Sequence, residues 1–212
     1  DITHRAVEVL KSVDYIAAEN TRHSRILLNH FKLKYSLLSY HENNSFQQIP
    51  KILNKINSGL DIALISDAGT PGISDPAYRL IREIIKNNTE IIPIPGASAL
   101  LTAIMTAGLP TDRFIFEGFL PPKKGRKSRI ENIKNETATL IFYESPRRLF
   151  RTLNDLYKIL GNRPAVVCRE LTKLHEQFKR DSLKGLIEYY SNVNPKGECV
   201  VLVGKDDKNV YF

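Results

Sequence analysis

Asp67 and Asp75 stand in the segment SDAGTPGISDP (66–76), among two glycines, two prolines, two serines and a threonine. The segment joins an apolar run, DIALI (61–65), to an amphipathic one, YRLIREIIK (78–86). A carboxylate just past a strand can accept hydrogen bonds from a ribose hydroxyl or an amino group. Glycines there let the backbone turn tightly and approach a ligand. The segment has neither GxxxxGK[ST] nor GxGxxG, and no lysine, so a phosphate cradle is disfavoured. A ligand with hydroxyls, amines or a positive centre suits two carboxylates better. A plain surface turn is the competing explanation.

A second segment, IPIPGASALL (92–101), has the same form. Pro95, Gly96, Ala97 and Ser98 put small residues at a helix start, where free N–H groups point outward. Ligands of open α/β sheets bind beyond the carboxyl ends of the strands. Two such ends therefore suggest one shared ligand, with close packing of a helix on the sheet as the alternative. A third feature is electrostatic: Lys123, Lys124, Arg126, Lys127 and Arg129 place five positive charges in seven residues. Arg147 and Arg148 open a helix, where cations run against the dipole. Such charges bind phosphates, or else form a solvated face. The net charge of +8 and the pI near 9.4 favour a polyanionic partner, nucleic acid first.

The elements that must position these residues follow from periodicity. Helices are expected over Ile2–Lys11, from Thr21, after Pro50, over 75–88 with Asp75 as N-cap and Pro76 in the first position, and over Ala97–Gly108. Strands are expected at Asp14–Glu19, Tyr35–Tyr40, Asp61–Ile65 and Glu90–Ile94. The alternation implies a largely parallel sheet. The polar stretch GLPTDR (108–113) suggests a boundary, dividing the chain into domains of residues 1–110 and 111–212. The second half continues with strands at Phe114–Phe119, Thr139–Glu144, Pro164–Glu170 and Gly197–Gly204, a further one at HEQFKR, and helices after Ser145–Pro146 and over SLKGLIEYYS.

The 212 residues suffice for one large domain or two small ones. No apolar run is long enough to cross a membrane, and no secretory signal is visible. Cys168 and Cys199 lie in apolar strand-like runs and read as buried free thiols, which suits the cytoplasm. No metal-ligand spacing appears.

Eight motifs taken in order carry a resemblance: AAENTRHS, SYHENN, SDAGTPGISDP, PIPGASA, DRFIFEGFLP, LIFYESPRRL, RELTK and GECVVLVG. Together they resemble the ribosomal RNA small-subunit methyltransferase I group within the tetrapyrrole-methylase fold. The resemblance covers nearly the whole chain. It implies two α/β domains, the first sheet mostly parallel and the second mixed, with S-adenosylmethionine (SAM) in the cleft between them. It implies 2′-O-methylation of a cytidine ribose in the decoding region of 16S rRNA in the small ribosomal subunit, and a homodimer. The family begins with a strand and a TPIGN-like turn directly before DIT; this sequence begins at Asp1 of DIT, so that strand is expected upstream.

On the resemblance, SAM falls to Asp67, Gly69 and Thr70, to Ser98 and Ala99, and in the second domain to Phe142, Tyr143, Leu171 and Gly197. RNA falls to Arg22 and to Lys123, Lys124, Arg126, Lys127, Arg129, Arg147 and Arg148. Glu19, His41 and Glu144 are the candidates for a base that takes the hydroxyl proton, unless no dedicated base exists. The parallel reading puts Glu19 on the sheet edge of Asp67, with Arg22 placed to hold its carboxylate or a phosphate. Histidine titrates nearest neutrality, which favours His41. Methylation of a small tetrapyrrole or precorrin, and a non-catalytic RNA-binding module, are the alternatives.

Overall fold

The computed structural model describes residues 1–207, 209 and 210. The chain divides into two units, Asp1–Ser98 and Ala99–Phe212.

In the first unit, β1 (Tyr15–Ala18) lies between β2 (Leu37–Ser39) and β3 (Ile62–Ile65), parallel to both. Ala18 pairs with Ser39 on one side and Ile65 on the other, so all three strands end together. Side chains alternate across the sheet. Ile16 joins Leu10 of α1 (His4–Ser12) and Leu28 of α2 (Thr21–His30) on one face. Ala17 joins Ile52 of α3 (Ser45–Asn57) and Leu80 of α4 (Ala77–Lys86) on the other.

Three expectations are corrected here. The helix α3 begins five residues before Pro50 and holds that proline inside it. Burial of Ile52, with Ile49 and Ile56 packed alongside, outweighs the one hydrogen bond that Pro50 cannot donate. Pro76, not Asp75, is the N-cap of α4; Asp75 Oδ1 instead accepts from Gly72 N–H at 2.7 Å and Ala77 N–H at 2.9 Å. Residues 90–94 form no strand, and Ile91 and Ile92 are 42% and 61% exposed. Apolar β-branched residues favour a pleated surface only where a neighbour completes the ladder, and Pro93 and Pro95 lack donors. This segment is held by side chains instead: Thr3 Oγ1 donates to Pro95 O at 3.3 Å and Thr70 Oγ1 to Ala97 O at 2.9 Å.

The second unit holds a mixed sheet in the order β4 (Phe114–Phe119), β5 (Thr139–Glu144), β8 (Cys199–Val203), β6 (Pro164–Arg169), β7 (Gln177–Ser182). Only β4 and β5 are parallel. Leu140, Phe142, Val167 and Val201 face one cluster, with Leu153 of α7 (Pro146–Leu160), Leu186 of α8 (Leu183–Ser191) and Ile130 of α6 (Arg126–Asn132). Ile141, Val166, Cys168 and Leu202 face another, with Ala103, Ile104 and Ala107 of α5 (Ala99–Ala107). Covering both faces explains why these strands read as continuous apolar runs.

The division between units falls before α5, not in the polar stretch after it, because both ends of α5 are tied to this second sheet. Tyr143 Oη accepts from Leu100 N–H at 3.1 Å, and Arg180 donates to Ala107 O at 3.0 Å and Thr106 O at 2.6 Å. Those contacts satisfy groups that a helix leaves unpaired at its ends. No helix among the described residues is long and apolar enough to cross a membrane.

Cys168 and Cys199 are free and buried, and burial pushes their thiols up to about 12 and about 11. Since the thiolate is the reactive form, a thiol reagent at pH 8 should leave both untouched in the folded protein. Both should react once urea unfolds the second unit; labelling of the native chain, read by mass spectrometry, would contradict this burial.

Candidate active site

The common carboxyl edge of β1, β2 and β3 delivers Glu19 and Asp67 together, the placement that the parallel reading expects, and brings His41 to the same edge. Glu19 is half-buried beside Tyr40, Ser66, Pro71 and Asp75, which line one shallow depression. Among the described residues no hydrogen bond or ion pair engages its carboxylate, and Arg22 makes none with it. Arg22 is exposed, and its N–H is bonded by Asn20 Oδ1 at 3.1 Å. Asn20, which also accepts from His23 N–H at 3.3 Å, is the N-cap of α2. It is an asparagine two residues past β1 and directly before the helix, a signal present in the sequence and not used there.

Asp67 keeps its carboxylate partly in solvent, with His23 Nδ1 at 3.8 Å. Gly69 turns the loop with φ +70°, a conformation that favours glycine, and nothing lies within 4 Å of where a Cβ would sit. The loop thus presents an acceptor beside open space. Thr70, by contrast, is bonded to Ala97 O, so the two sequence segments singled out for one ligand are joined directly. Asp75 Oδ1 is committed to two backbone N–H groups and holds the loop. His41 is half-buried at the end of β2, and its N–H donates to Asn44 Oδ1 at 2.8 Å.

In the second unit the candidates separate. Ala99, Tyr143 and Leu171 pack against the same face, on the α5 side of the sheet. The Tyr143 ring meets Phe116 and Phe119 edge-on at 4.8 and 5.6 Å, and burial raises its phenol. Phe142, one residue earlier, points to the opposite face and is fully buried. Its side chain cannot touch a ligand. Gly197 has φ +87°, and an added Cβ would fall 2.2 Å from Glu170 Cδ. Close approach of Glu170, not of a ligand, demands that glycine. Glu170 Oε1 accepts from Glu198 N–H at 2.9 Å, and Lys173 Nζ bonds both Glu170 and Glu198 at 3.0 and 2.9 Å.

Glu144 is not a base. Its side chain is 1% exposed, and its oxygens accept from Ser145 N–H at 2.7 Å, from Thr152 Oγ1 and from Arg148. Arg126, also buried, donates to Asp155 and to Thr152, both at 2.7 Å, with Glu144 at 3.9 Å. Arg126 is therefore a core ion-pair residue, and half-buried Arg148 spends its guanidinium on Glu144 and the carbonyl of Leu120. Arg129 pairs with nearly buried Glu117. Lys127 lies 3.5 Å from Glu131 at the surface. Lys123, Lys124 and Arg147 are exposed and, among the described residues, make no ion pair. Of the five charges in this run, Arg126 alone is buried and the other four stay at the surface.

The match to the family of tetrapyrrole (corrin/porphyrin) methylases covers residues 1–187. A protein of Synechocystis sp. named ribosomal RNA small subunit methyltransferase I is 49% identical over 96% of this chain and 74% of its own. A protein of the same name from Thermotoga maritima is 44% identical over 97% of this chain and 93% of its own. The fold is similar to that of a cobalt precorrin-4 methyltransferase, with TM-score 0.68 and 15% identity, over 96% of this chain and 88% of that one. It is likewise similar to a conserved hypothetical protein of Aeropyrum pernix K1, with TM-score 0.73 and 15% identity, over 98% and 81%.

Two outcomes follow from the contacts. Arg126→Ala removes the buried guanidinium that bonds Asp155 and Thr152 and should lower stability by about 3–5 kcal/mol, whereas Lys123→Ala and Lys124→Ala should stay within about 0.5 kcal/mol; urea midpoints compare them. Glu198 N–H, and then Lys173, hold the Glu170 carboxyl below its usual range. The stability it contributes is full above the unfolded value, about 4.3, and is lost as pH falls through the depressed folded value. Glu170→Gln should therefore differ in urea midpoint from the parent at pH 7 and converge with it near pH 2.

Proposed function

The chain belongs to the tetrapyrrole (corrin/porphyrin) methylase family, and on that premise we propose that it transfers a methyl group from SAM to a cytidine ribose 2′-hydroxyl in the decoding region of bacterial 16S rRNA. The observation that carries this reading is the 41–49% identity, over nearly the whole chain, to proteins named ribosomal RNA small subunit methyltransferase I. The precorrin methyltransferase is similar in fold alone and adds nothing for a tetrapyrrole substrate.

When bound, SAM supplies an electrophilic methyl on a positively charged sulfur. The residues proposed to hold it are Asp67, Gly69, Thr70 and Ser98 in the first unit, and Ala99, Tyr143, Leu171 and the backbones at Phe142 and Gly197 in the second. The open Gly69 turn and the partly exposed Asp67 carboxylate fit a ligand with hydroxyl and amino groups. Asp67 accepts from those groups and adds a favourable negative charge. Transfer makes an O–C bond and breaks an S–C bond, and the hydroxyl proton leaves to a base or to water. Glu19 is the proposed acceptor of that proton: it stands at the centre of the strand edge, and no described residue engages its carboxylate. His41, just past the neighbouring strand β2, is the second candidate. Alignment of the hydroxyl with the methyl supplies most of the acceleration. Lys123, Lys124, Lys127 and Arg147 are the proposed phosphate contacts, joined by Arg22. The enzyme is proposed to act in the cytoplasm as a homodimer.

Labelled methyl from SAM should pass to purified small ribosomal subunits that lack the modification, and should block alkaline cleavage of the rRNA at one site. Binding of SAM with no label in the rRNA would refute the ribosomal substrate. Glu19→Gln should lower kcat by roughly 10²–10⁴-fold with SAM affinity unchanged; normal turnover would remove Glu19 from the mechanism. Asp67→Asn should weaken SAM binding by about 10-fold or more, measured by calorimetry.

A further inference from the structure

Beside the carboxyl edge of the first sheet, two aromatic rings project into solvent. Phe46, in the first turn of α3, is 80% exposed, and Tyr78, in the first turn of α4, is 59% exposed. Both turns begin at that edge, since α3 follows β2 and α4 follows the loop after β3. Tyr40 Oη, just past β2, donates to Pro76 O at 3.0 Å, and Arg79 of α4 donates to Ser45 Oγ of α3 at 3.2 Å, which ties the two helix starts together. Neither ring belongs to a core cluster.

Each ring is faced by a guanidinium. Arg79 Cζ lies 5.4 Å from the Phe46 ring centroid and Arg82 Cζ lies 5.6 Å from that of Tyr78. Arg79 is held in place by Ser45 Oγ at 3.2 Å and Glu42 at 3.6 Å, while exposed Arg82 makes no ion pair among the described residues. Flat apolar faces interleaved with arginine match the chemistry of an unpaired nucleotide, whose base stacks and whose phosphate is neutralised. A duplex hides its base faces and would leave both rings in water. A protein partner would be expected to meet a broader apolar patch with fewer charges at its centre. The net charge of +8 points the same way.

We propose that Phe46 and Tyr78, with Arg79 and Arg82, form a stacking platform for unpaired RNA nucleotides flanking the methylated ribose. This rests on the reading of RNA as substrate, and deepens it by naming single-stranded RNA and the face that receives it.

The test is binding of a short single-stranded oligoribonucleotide carrying 2-aminopurine, in the absence of SAM. The intact protein should quench its fluorescence, and an equivalent RNA duplex should not compete. Phe46→Ala and Tyr78→Ala should each weaken binding roughly 5- to 150-fold, with the slope of log affinity against log salt unchanged. Phe46→Trp should restore binding. Urea midpoints should stay at the parent value, since both rings are exposed. Unchanged affinity in the double alanine variant would overturn the platform, even with methyl transfer intact. So would a change in sedimentation coefficient in that variant, which would assign the face to a second copy of the chain. Failure of methyl transfer with stacking retained would instead count against the proposed reaction.

Discussion

The strand β1 has two parallel neighbours and no exposed face. Ile16, Ala17 and Ala18 are all buried, and Ala18 is in register with Ser39 and Ile65. That pairing is the constraint on which the candidate site rests. Parallel strands in register must end at one edge, so residues 19, 41 and 67, far apart in the chain, become neighbours. The small side chain of Ala17 lets α3 and α4 pack close on the sheet, which brings the starts of both helices to the same edge. The candidate carboxylates, the open glycine turn and the exposed aromatic rings all gather at that one edge.

The second unit solves a different problem. Its sheet buries both faces, and a buried arginine, Arg126, sits where β5 passes into α7. An unpaired charge there would cost several kcal/mol. Glu144, Thr152, Asp155 and the carbonyl of Pro121 surround it. The network gives the YESPRR motif a structural meaning: Glu144 closes β5, Arg148 reaches back to it one helical turn later, and Thr152 reaches it one turn further on. Chemistry at Glu144 and retention of this network are incompatible.

The same separation of roles runs through the charges. Lys123 and Lys124 stay in water while Arg126 is enclosed, although all belong to one basic run. Gly125, with φ +80°, is the turn between them, and it starts the helix whose first residue points inward. In the first unit Asp67 remains an open acceptor while Asp75, in the same loop, is bound to two backbone N–H groups. Neighbours of like type are divided by the direction in which the backbone aims them.

Composition, periodicity and motif order by themselves determined the two α/β units, the parallel first sheet, the free thiols and the loop at Asp67. Those depend on local pattern: apolar alternation, glycine at a turn, strand following helix. Tertiary structure alone decided the rest. In TLIFYE every residue is apolar or lies beside one, so no period marks Phe142 as core and Tyr143 as the residue that meets the start of α5. The caps of α5 come from Tyr143 and Arg180, many residues away, and no local pattern records them. EIIPI carries the composition of a strand, yet strand formation requires a neighbour, and none pairs with it among the described residues. Burial is a property of the assembled fold, so whether a charged side chain binds a partner or holds the core together is settled only when the helices pack.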